Sequence, residues 1–96
     1  MAVKVLIKRK VKDGKLNEAS KLLIKARYNA MGQPGYISSE TLSGCDDPNN
    51  VVVISMWQKI EDWDDWQNDG LREENEAAFE ALLDGPTKYE TFNLGL

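Results

Sequence analysis

The chain has 96 residues, of which 42% are hydrophobic and 29% charged, and its formal net charge at pH 7 is −4. This size and composition predict one folded domain over residues 1–96, too short for separate cofactor and substrate modules. The acidic balance argues against a nucleic-acid partner, because contact with phosphates needs a basic surface.

Two residue types that carry much of protein chemistry are nearly or entirely missing. The sequence contains one cysteine, Cys45, in a segment with the composition of an exposed turn, and no histidine. A single thiol excludes internal disulfides, zinc clusters and iron–sulfur clusters, and the lack of imidazole excludes Ser-His, Cys-His and His-metal sites. No apolar run approaches the roughly 20 residues of a membrane span. We therefore expect a cytoplasmic protein with no membrane contact.

Hydrophobic periodicity predicts the first strand and the first helix. In residues 2–11 apolar side chains alternate with basic ones, which is typical of a half-buried strand. After a turn at Asp13-Gly14, leucines and alanines recur at three- and four-residue steps over residues 15–30, as in an amphipathic helix. Gly32 and Pro34 end this helix.

The middle of the chain predicts two further strands. Residues 35–43 are rich in β-branched and aromatic side chains and favour a second strand. A turn cluster of glycine, aspartate, proline and asparagine follows in residues 44–50. Residues 51–57 are an almost unbroken apolar run, which predicts a central strand buried on both faces.

The last third of the chain predicts a helical segment and a final strand. An acidic first turn at residues 61–62 precedes an apolar stripe that runs to residue 83 and is interrupted at Gly70, which favours a short helix, a kink and a longer helix. Gly85-Pro86 ends it, and residues 89–94 form the last strand. The predicted fold is ferredoxin-like α+β of βαββαβ order, with two helices on one face of an antiparallel four-stranded sheet and strands one and three at its centre.

A homodimer follows from the third strand. Its apolar side chains fall on both faces of the sheet, whereas the helices cover only one. Monomers rarely expose such a patch, so we expect two copies to pack through their sheet faces with twofold symmetry. Three lysines on the outward side of strand one, Lys4, Lys8 and Lys10, then lie at the rim, or the interface is mixed.

Three segments together resemble the antibiotic biosynthesis monooxygenase (ABM) superfamily of dimeric α+β barrels. They are the Pro34-Gly35-Tyr36 step into strand two, the apolar strand that ends at Trp57, and residues 61–66, which open the second helical segment. The resemblance spans nearly the whole chain. It implies a homodimer in which each subunit holds a pocket between helices and sheet. Members of the superfamily either oxidise phenolic or quinol substrates with oxygen and no metal or flavin, or bind and degrade haem.

Between these two activities, the sequence disfavours haem. The haem-degrading branch needs an axial histidine about three helical turns after its pocket tryptophan, whose counterpart here is Trp66. That neighbourhood is Asn75-Glu76-Ala77, and the chain has no histidine. We therefore expect no cofactor and a cofactor-independent monooxygenase of small aromatic or quinol-like compounds.

Two non-catalytic readings stay open. One is a small-ligand-binding or stress-related dimer that keeps the pocket without the chemistry, which a pocket lacking positioned polar groups would favour. The other is a regulatory amino-acid-binding domain of the same topology, since its ligand contacts are mostly to the backbone.

The resemblance also suggests site residues. It places Trp66 in the pocket as the candidate catalytic residue, and we add candidate substrate contacts in Trp63, Tyr36 and Phe79 as walls and in Arg27 and Tyr28 as polar groups. Each has a structural alternative: the two tryptophans could anchor their helix to the sheet, Tyr36 could shield a sheet edge, and Arg27 could be solvated. The glutamates of residues 73–80 are typical of a charged, solvated helix face.

Overall fold

The computed structural model describes residues 1–95. Its elements, in chain order, are β1 (Val3–Lys10), α1 (Leu16–Met31), β2 (Tyr36–Ser43), β3 (Asn50–Trp57), α2 (Ile60–Gln67), α3 (Gly70–Glu80) and β4 (Lys88–Asn93). The predicted βαββαβ order is confirmed, with element ends that differ from the prediction by at most one residue except at the end of α3, which lies three residues earlier. The second helical segment consists of a short helix and a longer one divided just before Gly70, as predicted.

All four strands form one antiparallel sheet in the order β2-β3-β1-β4. The two most apolar strands, β1 and β3, therefore occupy its centre, as predicted. The pairing places Val5 opposite Ser55 on one side and opposite Thr91 on the other. Because side chains alternate between the faces of a sheet, this row and every second row from it share one face, which we call the inner face.

The helices pack on the inner face and close a core with two clusters. The first contains the buried residues Val3, Val5, Ile7, Ala30, Trp57, Trp63 and Trp66. The second contains Val11, Ala19, Val51, Phe79, Leu82 and Leu83. The alternation in β1 thus separates the core from solvent, as the sequence predicted.

The outer face of the sheet is left without a covering layer in the single chain. Its middle row places Ile54 of β3 beside Leu6 of β1, and the two are half-buried. Leu42 and Phe92, on the edge strands, are 46% and 49% exposed. The burial of β3 on both faces is therefore incomplete within one chain.

The junction between α2 and α3 has a clear local cause. Asn68 ends α2, and Asp69 begins the next helix by accepting a hydrogen bond from the Leu71 backbone N–H at 2.9 Å. An aspartate at this position satisfies one of the unpaired N–H groups of a helix start. The cap therefore starts a new helix at Gly70. Within residues 1–95 no helix is long and apolar enough to cross a bilayer.

Candidate functional site

A cavity lies between the inner face of the sheet and the three helices. It is the candidate site, and we refer to it simply as the cavity. Its volume is about 50 Å³, which is room for a few water molecules, since one water needs about 10–15 Å³. A compound with an aromatic ring fits only after lining side chains move. The site is narrow and partly enclosed.

One wall of the cavity is aromatic. Trp57 at the end of β3 is fully buried, with the ring of Tyr36 edge-on at 5.6 Å and the ring of Trp63 at 6.1 Å between centroids. Trp66, 5% exposed, lines the same space. The three-residue spacing of Trp63 and Trp66 places both on one side of α2, because residues three and four apart share a helix face.

Hydrogen bonds fix polar groups on this aromatic wall. The Trp57 Nε1–H group donates to Ser55 Oγ at 3.1 Å, and Ser55 is itself 5% exposed. The Tyr36 hydroxyl and Ser39 Oγ share a hydrogen bond of 2.6 Å. Both serines line the cavity. The hydroxyl groups are held in place by the rings that they contact.

Charged residues from opposite layers of the fold also meet in the cavity. Arg9 of β1 donates a hydrogen bond to Glu76 Oε1, and Nη2 of Arg72 lies 3.5 Å from the same oxygen. The side chains are 3% exposed for Arg9, 9% for Arg72 and 20% for Glu76. Two nearly buried cations therefore share one carboxylate.

Aromatic rings hold both guanidinium groups in place. The Arg9 guanidinium carbon lies 4.2 Å from the centroid of the Phe79 ring, and that of Arg72 lies 5.0 Å from the Trp63 ring. Nη2 of Arg72 also donates to the Tyr89 hydroxyl at 2.8 Å. Cation–π contacts of this kind contribute about 0.5–2 kcal/mol each.

Burial acts on the protonation of Arg9. It lowers the pKa of the Arg9 guanidinium from its ordinary value because the charged form loses water, and the neighbouring Glu76 carboxylate opposes this effect. Arginine begins from so high a pKa that it stays charged near neutral pH. Arg9 therefore keeps its positive charge in the cavity.

Two polar atoms of the cavity-lining residues lack partners within residues 1–95. Asn75, 4% exposed, donates from Nδ2 to the Leu22 carbonyl at 3.2 Å, but its Oδ1 accepts no hydrogen bond. Nε of Arg9 is also buried without an acceptor. Leaving such groups unpaired costs about 1–3 kcal/mol each. A ligand or water that pairs with them would recover part of this cost.

The structure brings four of the six predicted site residues together. Trp66, Trp63, Tyr36 and Arg27 line the cavity, with Arg27 exposed at its edge.

The other two predicted contacts lie elsewhere. Phe79 is buried in the second core cluster, beneath Arg9, and does not line the cavity. Tyr28 is 79% exposed, because one residue along α1 turns a side chain by about 100° and so away from the side of Arg27. Neither ring is in position to touch a ligand in the cavity.

Comparison with known proteins places this geometry in a family. The family model described as antibiotic biosynthesis monooxygenase matches residues 2–71, well over half of the chain. The chain belongs to the antibiotic biosynthesis monooxygenase family. No curated protein matches the sequence.

Solved structures with the fold of this ABM-family protein are numerous. A conserved protein from Methanosarcina mazei Go1 aligns with a TM-score of 0.90 and 18% identity over 96% of this chain and 91% of that one. Rv0793 from Mycobacterium tuberculosis aligns with a TM-score of 0.87 and 14% identity over 97% of this chain and 94% of that one. SnoaB from Streptomyces nogalater, a cofactor-independent oxygenase, aligns with a TM-score of 0.88 and 18% identity over 99% of this chain and 94% of that one. At these identities the likeness shows the fold alone.

The cavity lacks the axial histidine through which the haem-degrading branch of the ABM superfamily is expected to hold haem. Within residues 1–95 no histidine, cysteine or methionine lines it, and Cys45 is exposed between β2 and β3. The neighbourhood expected to hold an axial histidine supplies Asn75 and Glu76, which do line the cavity. An amide and a carboxylate that pairs with two arginines provide no axial nitrogen or sulfur ligand for haem iron.

Sequence reasoning missed the charged part of the ABM-family cavity, although two signals pointed to it. Arg9 falls on the same parity as Val5, Ile7 and Val11, so it faces the helices.

The second signal is on α3. Arg72, Asn75 and Glu76 lie seven, four and three residues before the buried Phe79, and therefore on its side of the helix. These three residues follow residue 71, where the family match ends. We call Arg9, Arg72 and Glu76 the charged group: its α3 members lie outside the match, whereas Arg9 lies within it.

Proposed function

We propose that this protein is a cofactor-independent monooxygenase that oxidises a small aromatic or quinol-like compound with molecular oxygen. The observation that carries the proposal is the narrow, partly enclosed cavity, in which tryptophan and tyrosine rings lie beside fixed polar groups. An aromatic substrate packs on such rings, and the exclusion of water strengthens electrostatic contacts to a substrate anion. Membership of the ABM family supports the same reading.

The chemistry needs no bound redox group, because the substrate supplies the electrons. An anthrone, for example, loses a proton from its methylene carbon, and the resulting anion gives one electron to oxygen. The substrate radical and superoxide then combine into a peroxide. When the O–O bond breaks, one oxygen stays on the carbon as a carbonyl. The other leaves as water, with the two hydrogens that the carbon has lost.

The protein's part in this scheme is to bind, orient and stabilise. Trp66 and Trp63 flank the ring of the substrate, and the guanidinium of Arg72 stabilises the negative charge that deprotonation creates. Among residues 1–95, Glu76 is the one carboxylate that lines the cavity; it is engaged by both arginines, so the proton of the substrate passes to water.

The non-catalytic alternative is less well supported. A pocket without positioned polar groups beside the rings would have favoured a binding module that kept the pocket and lost the chemistry. Ser55, Asn75 and Arg72 are such groups, each buried and each oriented by a hydrogen bond. Their presence favours the enzyme.

We further propose that the protein works as a homodimer in the cytoplasm. The uncovered outer face, with Ile54 and Leu6 at its centre and Leu42 and Phe92 at its sides, suits packing against a second copy. A free exposed thiol at Cys45 suits a reducing compartment.

The test of the proposed activity is oxygen consumption by metal-stripped protein with a panel of hydroquinones and anthrones. We expect turnover above the protein-free blank, and a loss of tenfold or more in Trp66→Phe. Leu71→Val, an exposed substitution five residues along the chain, serves as the control and should keep the wild-type rate. Rates equal to the blank across the whole panel would reject the oxygenase and favour the binding module.

A further inference from the structure

We infer that the ligand of the cavity is an acid: a hydroxylated aromatic compound whose carboxylate binds Arg9 and Arg72 in the place that Glu76 now holds. The reaction of such a compound rests on the proposed function. The binding of such a compound does not rest on the proposed function, because it depends on the charged group.

The local excess of positive charge is the first argument. Three arginines line the cavity, Arg9, Arg27 and Arg72, against the single carboxylate of Glu76. The whole chain nevertheless has a net charge of −4. Removing a charge from water is costly unless an opposite charge compensates for it, and Glu76 alone cannot balance the two nearly buried guanidinium groups. An anionic ligand would complete the balance.

The geometry of the ion pairs is the second argument. Both contacts of the arginines with Glu76 involve its Oε1 atom. A guanidinium carries five N–H donors and binds a carboxylate best through two parallel hydrogen bonds. Nε of Arg9 has no acceptor within residues 1–95. The donors therefore exceed what Glu76 uses, and a ligand carboxylate with two free oxygens would engage more of them.

Glu76 is also the member of the group that can leave. Its side chain is 20% exposed, whereas the two arginine side chains are 3% and 9% exposed and are held on aromatic rings. Rotation of Glu76 towards solvent would free both guanidinium groups. Because Glu76 itself lines the cavity, the same motion would enlarge a space that is too tight for a ring. The carboxylate of Glu76 thus occupies the position that the carboxylate of the ligand would take.

The side chain of Asn75 is the reason to expect a hydroxyl group on the ligand. Its Oδ1 is buried and accepts no hydrogen bond from residues 1–95, while its Nδ2 is fixed on the Leu22 carbonyl. The amide is therefore oriented with a free acceptor, and a phenolic O–H is a donor of matching size. The ring between the two polar groups of the ligand would pack against Trp63.

The test compares an acid with its neutral isostere under conditions that allow no turnover. Anaerobic calorimetric titrations would measure the Kd of 4-hydroxybenzoate and of 4-hydroxybenzamide for the wild-type protein. We expect the acid to bind at least tenfold more tightly. Glu76→Gln should bind the acid at least fivefold more tightly than wild type, because the internal competitor is gone. Glu80→Gln, one turn along α3 and exposed, is the charge-matched control and should stay within twofold.

Two variants of Arg72 test its part in the preference for the acid. Arg72→Gln should remove the preference for the acid, and Arg72→Lys should keep part of it, which guards against loss of folding in the first variant. Equal affinity for acid and amide, no measurable binding of either to wild type and Glu76→Gln, or weaker binding of the acid in Glu76→Gln would each overturn the inference. Binding of the acid without oxygen consumption by any substrate would reject the oxygenase alone. Turnover of neutral quinols without a preference for acids would reject the charged ligand alone.

Discussion

Arg9 and Glu76 stand 67 residues apart in the chain and form an ion pair inside the cavity. The pair joins the central strand β1 to α3, across the two layers of the fold. Its arginine side chain is 3% exposed and its glutamate side chain 20% exposed. A buried pair of this kind stabilises little compared with apolar packing, but removing one partner leaves the other desolvated. The charged group therefore couples the stability of the fold to the state of the cavity.

Arg9→Ala should destabilise the protein by about 3 kcal/mol, because Glu76 loses one partner and the Phe79 ring loses its cover. Urea denaturation monitored by tryptophan fluorescence would measure the free energy of unfolding. Lys8→Ala is the matched control on the same strand, since its ion pair with Glu90 is 45% exposed on both sides and contributes at most about 1 kcal/mol. Equal losses in the two variants would contradict a structural role for the buried pair.

The fold was predictable because its signals are local. Alternation in β1, the apolar run of β3 and the three- and four-residue steps of α1 each lie within one element, and each is visible in the sequence. Even the division between α2 and α3 has a marker at Gly70. The aromatic wall followed from the same local patterns together with the family resemblance.

The charged half of the cavity was missed because its signal is distributed. Glu76 is one of several glutamates on α3, and sequence alone gives no sign that it meets an arginine from β1. A solvated helix face was the natural interpretation of such a cluster. Its spacing from Phe79 separates Glu76 from the exposed Glu73, Glu74 and Glu80, but only the packing of α3 on the sheet shows that it meets Arg9 in the cavity.

Gly35 should tolerate no side chain. Its φ is +82°, and a Cβ built there would lie 2.1 Å from the Asp62 carboxylate oxygen. Gly14 has a similar φ of +79° but open space around it. Gly14→Ala should therefore lower the free energy of unfolding only by the cost of the backbone conformation, about 1–2 kcal/mol. Gly35→Ala should lower it clearly more. Thermal melting of both variants would test this, and a melting temperature for Gly35→Ala at or above that of Gly14→Ala would contradict the close approach of Asp62.

The turn between β2 and β3 should show a pH response at Asp47. A hydrogen bond from Lys10, and a second from the Asn49 backbone N–H at 3.0 Å, lower the pKa of the Asp47 carboxyl from its ordinary value. Because the folded pKa lies below the unfolded one, the contribution to stability is present above the unfolded pKa. It is lost as the pH falls through the folded value.

An NMR titration of the Asp47 carboxyl would measure this effect directly. Lys10→Met should raise the titration midpoint towards that of an unperturbed aspartate, since the main cause of the lowered pKa is removed. Lys4→Met removes a charge from the same face of β1 at a distance from the turn and should leave the midpoint unchanged. The same midpoint in wild type and Lys10→Met would exclude the ion pair in solution.

The outer face of the sheet provides the last prediction. Ile54 lies at its centre beside Leu6, and a homodimer built on this face would bury both side chains. Ile54→Asp should therefore dissociate the dimer, because a carboxylate in an apolar interface loses its water without gaining a partner. Sedimentation velocity at micromolar concentration would show a dimer for wild type and a monomer for the variant.

Ile24→Asp places the same carboxylate on the solvent side of α1, where the native side chain is 69% exposed. It should leave the dimer intact, because the helices lie on the opposite side of the sheet. Dissociation by Ile24→Asp and not by Ile54→Asp would move the interface to the helices. A wild-type monomer would leave the outer face uncovered in solution. Since Arg9, Arg72 and Glu76 all belong to one chain, binding of 4-hydroxybenzoate should survive dissociation by Ile54→Asp, which separates the role of the dimer from that of the charged group.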